Sequence, residues 1–339
     1  MAANLPDRCF IIYDPNGGAN DLAHAIYGNA ESKMPGLFEL NEINYKRFRM
    51  GEDNLQIANN VRRGHCFYIG DSTDTPQDWL VKTTLINHTL QNSSAAEVID
   101  VLPQLFYARQ DRKDKARVPM SSKVVADVLQ LYADKVLTVD VHSQQTQMLY
   151  RRFDSLPSFR TLSEYLLQHH PRILDGPALN GLVIASPDAG GGKRAEGFAG
   201  RIGCENVAIG HKIRVDGEAD KVVFAESQVS GYNIFLVDDI IDSGGTLIKA
   251  IEELRTKGAK EIYIYGTHGF FTKGYEELLG MVDRAFIGNT ITQPYQKKKK
   301  LPDIVNEKLE IISFDQIIAD AVYTTALGGS LSELFDMVA

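Results

Sequence analysis

The stretch Ile234-Phe-Leu-Val-Asp-Asp-Ile-Ile-Asp-Ser-Gly-Gly-Thr-Leu-Ile-Lys-Ala250 decides the fold. An apolar run ends in Asp238 and Asp239, Asp242 follows, and Ser243-Gly244-Gly245-Thr246 leads into a helix-period segment. This is a strand, a loop and a helix N-terminus. Such a junction suits a phosphate, because backbone N–H groups point outward and the helix dipole favours an anion. Gly244 and Gly245 permit close backbone approach, and Ser243 and Thr246 add hydroxyl donors. Asp238 and Asp239 can accept hydrogen bonds from two sugar hydroxyls, or hold a magnesium ion through water. A plain helix cap needs one acid, not three around a glycine pair. A Walker A loop is excluded, since no Gly-Lys-Ser/Thr is present here.

The helix after the loop carries Leu247, Ile248, Ile251 and Leu254 on one face, and Gly258 closes it. The same alternation runs outward along the chain. Apolar runs at 9–13, 66–70, 98–106, 135–140, 181–186, 205–210, 232–239, 261–268 and 284–289 read as buried strands. Helix-period segments such as 121–134 and 191–203 lie between them. Strands apolar on both faces and separated by helices predict an α/β fold with mostly parallel sheets covered by helices. The pattern comes in two blocks around a weakly patterned stretch at 150–180, which holds Pro157, His169, His170, Pro171 and Pro177 and reads as a linker. The length of 339 residues fits two domains.

Hydrophobic residues at 44% supply a buried core, and 24% charged residues argue against disorder. Lys and Arg number 36 against 44 Asp and Glu, a net charge of −8 that disfavours nucleic acid or an anionic membrane as main partner. The Lys297–Lys300 run reads as a solvated loop. Cys9, Cys66 and Cys204 are too few and too scattered for a disulfide framework or a four-cysteine zinc site, so a reducing, cytoplasmic compartment is expected. The opening MAANLPDRCF lacks the pattern of a signal peptide, and no run approaches the length of a membrane span.

Three further segments carry charge at strand ends. Residues 109–117 hold Arg109, Asp111, Arg112, Lys113, Asp114, Lys115 and Arg117, which suits a polyphosphate rim or a solvated basic loop. Asp140 and His142 end a strand two apart, so both should point one way, toward magnesium or phosphate or in a structural role. Asp188 with glycines 190–192 forms a second strand–loop–helix junction, and Lys212 and Arg214 follow a later strand. Two fixed cations suit the charge that develops on a transferring phosphoryl group, though surface basics are as frequent there.

The loop at 238–246 resembles the phosphoribosyl-pyrophosphate motif of type I phosphoribosyltransferases, with Ser243 where threonine is usual. The whole series resembles the ribose-phosphate pyrophosphokinase family. That family's Tyr-Ala-Arg-Gln-Asp-Arg-Lys stands unchanged at Tyr107 to Lys113. Pro119-Met-Ser-Ser-Lys123, Asp140-Val-His142-Ser, Ser186-Pro-Asp188-Ala-Gly-Gly191, Lys212-Ile-Arg214, Thr267-His268, Asn289-Thr-Ile291 and the ending at 330–335 follow in the family's order.

The resemblance implies two tandem phosphoribosyltransferase-like doubly wound domains with the site between them. They are expected at 1–160 (the ATP side) and 161–327 (the ribose-phosphate side), with a tail at 328–339 packing on the first. It implies a magnesium-dependent transfer of the β,γ-diphosphate of ATP to the anomeric hydroxyl of ribose 5-phosphate, giving phosphoribosyl pyrophosphate and AMP. By motif match, Asp242, Ser243, Gly244, Gly245 and Thr246 would bind the 5-phosphate, and Asp238 and Asp239 the ribose hydroxyls. Phe48, Glu52, Arg109, Gln110, Asp114 and His142 would hold ATP. His142 and Asp188 would contact the magnesium-bound polyphosphate and ribose, and Lys212 and Arg214 would close over the transition state. A homo-oligomer, dimer or hexamer, is implied as well.

Departures lie in the first half. The family's adenine loop reads Phe-Ser-Asp/Asn-Gly-Glu, and here it is Phe48-Arg-Met-Gly51-Glu52, with Met50 for a polar residue. The segment from Pro76 to Lys82 differs from the family's, and Asn60 replaces a regulatory serine. These changes leave open a larger acceptor with the same free anomeric hydroxyl, such as ADP-ribose. A non-catalytic regulatory homologue is the reading from another class, and the presence of every charged site residue speaks against it.

Overall fold

The computed structural model describes residues 8–174, 179–215, 218–225, 229–293 and 302–335. Pro177 and Lys297–Lys300 lie outside the described residues. The chain forms two compact units. The first takes in the chain up to Pro157, with Thr290–Thr292 and Phe314–Phe335; the second holds Ser158–Asn289 and Gln293–Ser313. The sequence alone had placed the first boundary at 160 and run the second domain to 327.

In the first unit the chain runs β1 (Cys9–Tyr13), α1 (Asn20–Lys33), β2 (Phe38–Arg47), β3 (Asp53–Ile57), β4 (His65–Ile69), α2 (Pro76–Asn92), β5 (Glu97–Val101), α3 (Ser121–Leu129), β6 (Lys135–Val139) and β7 (Phe153–Leu156). The sheet order is β3-β2-β1-β4-β5-β6-β7. Every pair is parallel except the β2–β3 hairpin. Cys9, Phe10, Ile11 and Ile12 on β1 are fully buried, as both faces of a central parallel strand must be. Thr75 starts α2, its Oγ1 accepting from Asp78 N at 3.2 Å with Pro76 in the first turn.

The second unit runs α4 (Phe159–His169), β8 (Leu182–Ser186), α5 (Gly192–Ile202), β9 (Val207–Ile209), β10 (His211–Val215), β11 (Glu218–Val223), β12 (Asn233–Ile241), α6 (Gly245–Thr256), β13 (Ile262–Gly269), α7 (Glu276–Met281), β14 (Arg284–Gly288), α8 (Asp303–Lys308) and β15 (Leu309–Ile312). Its parallel sheet has the order β15-β14-β13-β12-β8-β9, and β10 and β11 form a separate antiparallel hairpin. Helix α9 (Asp315–Ala326) then packs on α1 within the first unit, where Lys33 Nζ lies 2.6 Å from Asp320 Oδ1 and 5.3 Å from the Tyr323 ring centre. The α/β fold with mostly parallel sheets is therefore as the sequence implies.

Some elements differ from the sequence reading. The run 98–106 stops as a strand at Val101, since Pro103 has no N–H for a ladder. Strands β2, β3, β7, β10, β11 and β15 were not read from apolar runs. The stretch 150–180 is no plain linker: it holds β7 and α4, whose buried Leu162, Ser163 and Leu166 have helical spacing. Its His170 is tied down, with Nε2 2.6 Å from Glu310 Oε2.

Candidate active site

In each sheet the strand order reverses at one place. In the second unit it reverses between β8 and β12, so the loops leaving these two strands flank one crevice at their carboxyl ends. One loop carries Asp188; the other carries Asp242 to Thr246, just past Asp238 and Asp239 in the last residues of β12.

After β12, Gly244 takes the N-cap place of α6 with φ +76°, a left-handed backbone that glycine adopts without strain. No acid holds the cap place, so the three acids are not there to start the helix. Ser243 Oγ is 3.5 Å from Gly245 N. Asp242 is fixed from behind, its Oδ1 accepting from Thr272 Oγ1 at 2.9 Å and its carbonyl from Thr272 N at 3.0 Å. Asp239 is buried and its Oδ1 lies 3.3 Å from an Arg194 guanidinium nitrogen. Burial, and then the charge of Asp239 beside it, push the Asp238 carboxyl well above the usual carboxylate range. Arg194 works against that rise and Asp188 adds to it. Such a crowded acid pair favours a cation or two hydroxyl donors. Arg194 was missed from sequence, where Gly-Lys-Arg reads as a surface helix start.

After β8, Asp188 Oδ1 accepts from Gly191 N at 3.1 Å, and its Oδ2 pairs with Lys212 Nζ. Burial pushes the Asp188 carboxyl up, but the Lys212 ammonium and the Gly191 and Gly190 amides outweigh it, and the group sits below its ordinary value. A Cβ at Gly191 would displace the Ser186 hydroxyl, which donates to the Asp188 carbonyl at 2.7 Å. Lys212 faces Val222 across the hairpin, and Arg214 faces Ala219 with its side chain outside the described part. The backbone register shifts between Ile213 and Arg214.

The remaining residues lie in the first unit. Arg109, Gln110 and Asp114 are exposed after β5. Tyr107 has φ +63°, an uncommon conformation for a residue with a side chain. It is held because Ser122 Oγ donates to its carbonyl at 2.6 Å and Ser122 N donates to the Gln110 carbonyl at 3.2 Å. Ser121 Oγ donates to Gln110 Oε1. The serines that open α3 thus set the turn that presents Arg109. His142 is exposed after β6. Strand β6 ends at Val139 and Asp140 has φ +44°, so strand alternation does not reach the Asp140–His142 pair. Phe48 and Glu52 stand at the tip of the β2–β3 hairpin, closed by Phe48 N to the Glu52 carbonyl at 2.8 Å.

The first unit has its own reversal, between β1 and β4. There Asp14 to Ala19 form a glycine-rich loop, yet the Asp71 carboxylate already accepts from Gly18 N at 2.5 Å and from Thr73 N at 2.8 Å. There a carboxylate of the protein itself takes the loop amides.

A doubly wound sheet, an acid pair ending its central strand and a Ser-Gly-Gly-Thr turn into a helix define the phosphoribosyltransferase-like class of α/β proteins. Residues 18–132 match the family model of the N-terminal domain of ribose phosphate pyrophosphokinase. Residues 221–336 match that of the phosphoribosyl synthetase-associated domain. A ribose-phosphate pyrophosphokinase of Wolinella succinogenes is 33% identical over 317 residues, 92% of this chain and 96% of the relative. One of Bradyrhizobium diazoefficiens is 36% identical over 86% of this chain and 89% of its own. The crystal structure of phosphoribosylpyrophosphate synthetase from Mycobacterium smegmatis superposes with a TM-score of 0.78 at 25% identity, covering 95% of this chain and all of that one. The chain belongs to the ribose-phosphate pyrophosphokinase family and is an enzyme of the diphosphate-transferring class.

Among the described residues no group of three or more His, Cys, Asp or Glu side chains could hold a metal ion by itself. Magnesium keeps waters and takes substrate phosphate oxygens alongside one or two carboxylates. The crowded Asp238–Asp239 pair and Asp188 are hard oxygen donors of this kind. No helix among the described residues is long and apolar enough to cross a membrane.

Proposed function

We propose that the protein transfers the β,γ-diphosphate of ATP to the anomeric hydroxyl of ribose 5-phosphate, giving phosphoribosyl pyrophosphate and AMP. The observation that carries this reading is the pair of loops at the reversal between β8 and β12: a glycine-capped helix end behind an acid pair, beside the Asp188–Lys212 ion pair. Asp242, Ser243, Gly244, Gly245 and Thr246 hold the 5-phosphate, and Asp238 and Asp239 accept from the ribose hydroxyls. Phe48 and Glu52 border the nucleotide base, while Arg109, Gln110 and Asp114 border the rest of ATP. His142 and Asp188 face the polyphosphate and its magnesium, with Asp188 the oxygen donor that metal prefers. Magnesium, when bound, supplies neutralising charge to the diphosphate being transferred. The anomeric oxygen bonds to the β-phosphorus, the α–β bridging bond breaks, AMP departs and the hydroxyl proton is released. Lys212 and Arg214 meet the charge on the transferring group.

Purified protein with magnesium, ATP and ribose 5-phosphate should release AMP in step with acceptor consumption. Release of ADP would mean single-phosphoryl transfer and would defeat the reading. Running ADP-ribose in parallel identifies the acceptor, since the 5-phosphate loop serves both. Asp242→Ala should raise the acceptor KM by about tenfold, the loss of a polar contact at the phosphate loop. An unchanged acceptor KM would remove Asp242 from that loop's function.

Self-association is part of the proposal. Val81 and Leu85 on α2, Val124 on α3, Leu131 just after it and Met148 in the short 3-10 turn before β7 are exposed apolar side chains, and these elements pack together. A cytoplasmic location is proposed as well, and three buried cysteines that form no disulfide support it.

A further inference from the structure

Lys82 is a lysine inside a packed core, where an unpaired charge would be costly. Its side chain is 6% exposed on α2, with Nζ 2.8 Å from Asp14 Oδ2 at the end of β1 and 3.3 Å from Asp74 Oδ2 before α2. Burial opposes its charge, but Asp14, Tyr68 and Asp74 more than restore it, so Lys82 stays protonated. The same ammonium lies 4.7 Å from the centre of the Tyr45 ring on β2, a cation–π distance.

Tyr45 passes the contact on. Its hydroxyl donates to Asp53 Oδ1 on β3 at 2.5 Å. Asp53 is also gripped by Arg47, through Nε at 2.6 Å and a terminal nitrogen at 3.2 Å. The Arg47 hydrogen bond leads in holding the Asp53 carboxyl below its ordinary value; burial opposes it, Tyr45 adds to it, and Lys82 contributes from a distance. Arg47 reaches back to the first turn of α2, 3.6 Å from Asp78 Oδ1. Arg47 and Asp53 are register partners, the last pair of the β2–β3 hairpin before its tip. The tip itself is exposed, Met50 by 79% and Phe48 by 43%, and has little packing of its own.

We propose that Lys82 is a positioning residue for the nucleotide, setting the Phe48–Glu52 tip through the relay Lys82–Tyr45–Asp53–Arg47. The proposal rests on the reading of that tip as bordering the nucleotide base. The hairpin is fixed at its stem by charge and hydrogen bonding, because an exposed tip cannot be fixed by burial. Helix α2 touches the stem at two points one turn apart, Asp78 and Lys82, so the stem can neither twist nor slide along it. The base then meets a tip already in place and less ordering cost is charged to ATP binding.

Tyr45→Phe tests the relay, because it leaves Lys82 paired with both acids and removes only the link to Asp53. It should raise the ATP KM about tenfold, the size of a lost hydrogen bond to a charged group. Its kcat should stay within about twofold, since the tip does not touch the transferring group. Phe48→Ala is measured beside it. If Phe48→Ala leaves the ATP KM unchanged, the tip does not border the nucleotide and that reading falls, with the proposal. If Phe48→Ala raises the KM and Tyr45→Phe does not, the tip binds ATP but the relay does not position it, and the proposal alone is overturned. Lys82→Met is combined with Tyr45→Phe where it folds. A double variant no worse in ATP KM than the worse single supports one relay, and additive effects in a folded double variant refute it.

Discussion

Lys212→Ala is expected to lower kcat about a thousandfold, roughly 4 kcal/mol of transition-state stabilisation, while the ATP KM changes by less than about threefold. The transfer needs little covalent assistance and much charge placement. Negative charge shifts onto the bridging oxygen as AMP departs, and a fixed ammonium is worth more there than in the ground state. In the structure the ammonium is not idle. It pairs with Asp188, which keeps that carboxylate ionised against burial and keeps Lys212 close to the crevice.

Its strand adds to the argument. Lys212 lies on β10, which among the described residues pairs with β11 and not with the six-stranded sheet. Its partner β11 is anchored, with Val222, the residue opposite Lys212, fully buried in the core of the second unit, so Lys212 is held from behind beside the Asp188 loop. Lys212→Ala should leave the midpoint of thermal unfolding within about 2 °C, as an ion pair still open to solvent contributes little. Single-turnover measurement of AMP release separates chemistry from product departure. Near-native turnover in Lys212→Ala would take the residue off the catalytic list. Lys212→Arg should recover part of the rate if charge is what matters.

The segment 238–246 was legible because its chemistry restricts residue types: acids near the strand end, then a glycine where the backbone turns left-handed. Position 244 bears this out with a left-handed backbone. The hairpin β2–β3 was not legible. Its second strand is largely exposed, so Asn54 and Gln56 carry no apolar signal. Lys82 was hidden because a lysine in a helix reads as a solvated position, and only the fold brings Asp14, 68 residues earlier, against it. The membership of α9 in the first unit is likewise a long-range fact. Its partner α1 lies nearly the whole chain away, and no local pattern encodes that pairing. The same-side argument for Asp140 and His142 lapsed because it assumed strand geometry one residue past the strand's end.

The second large effect concerns an acid outside the site. Asp100 on β5 is fully buried, and its Oδ2 accepts from Asn87 Nδ2 at 2.9 Å. Its Oδ1 and Asn87 Oδ1 are both buried without a hydrogen-bond partner. Two orphaned acceptors on one bonded pair have a simple resolution. A proton on Asp100 Oδ1 turns one of them into a donor, and an acid and an amide joined by one bond can close a second. Burial pushes the Asp100 carboxyl up to about 8, against a smaller opposing effect of the Asn87 hydrogen bond, so the acid is neutral at pH 7. The sign follows from proton counts. Unfolded, the group titrates near 3.8; folded, near 8. Between these values the folded state binds more protons, so its contribution is complete below about pH 4 and is lost as pH rises toward 8 and beyond. The slope approaches 1.4 kcal/mol per pH unit. Asp100→Asn keeps the shape, stays neutral at every pH, and can still pair with Asn87. It should match the parent near pH 4 and exceed it increasingly up to about pH 8, above which both states are ionised and the gap levels off. The difference in unfolding midpoint should widen by roughly 5–10 °C over that range. Parallel curves for the two proteins would mean that Asp100 titrates as an ordinary carboxylate, and the acid–amide pair would be wrong.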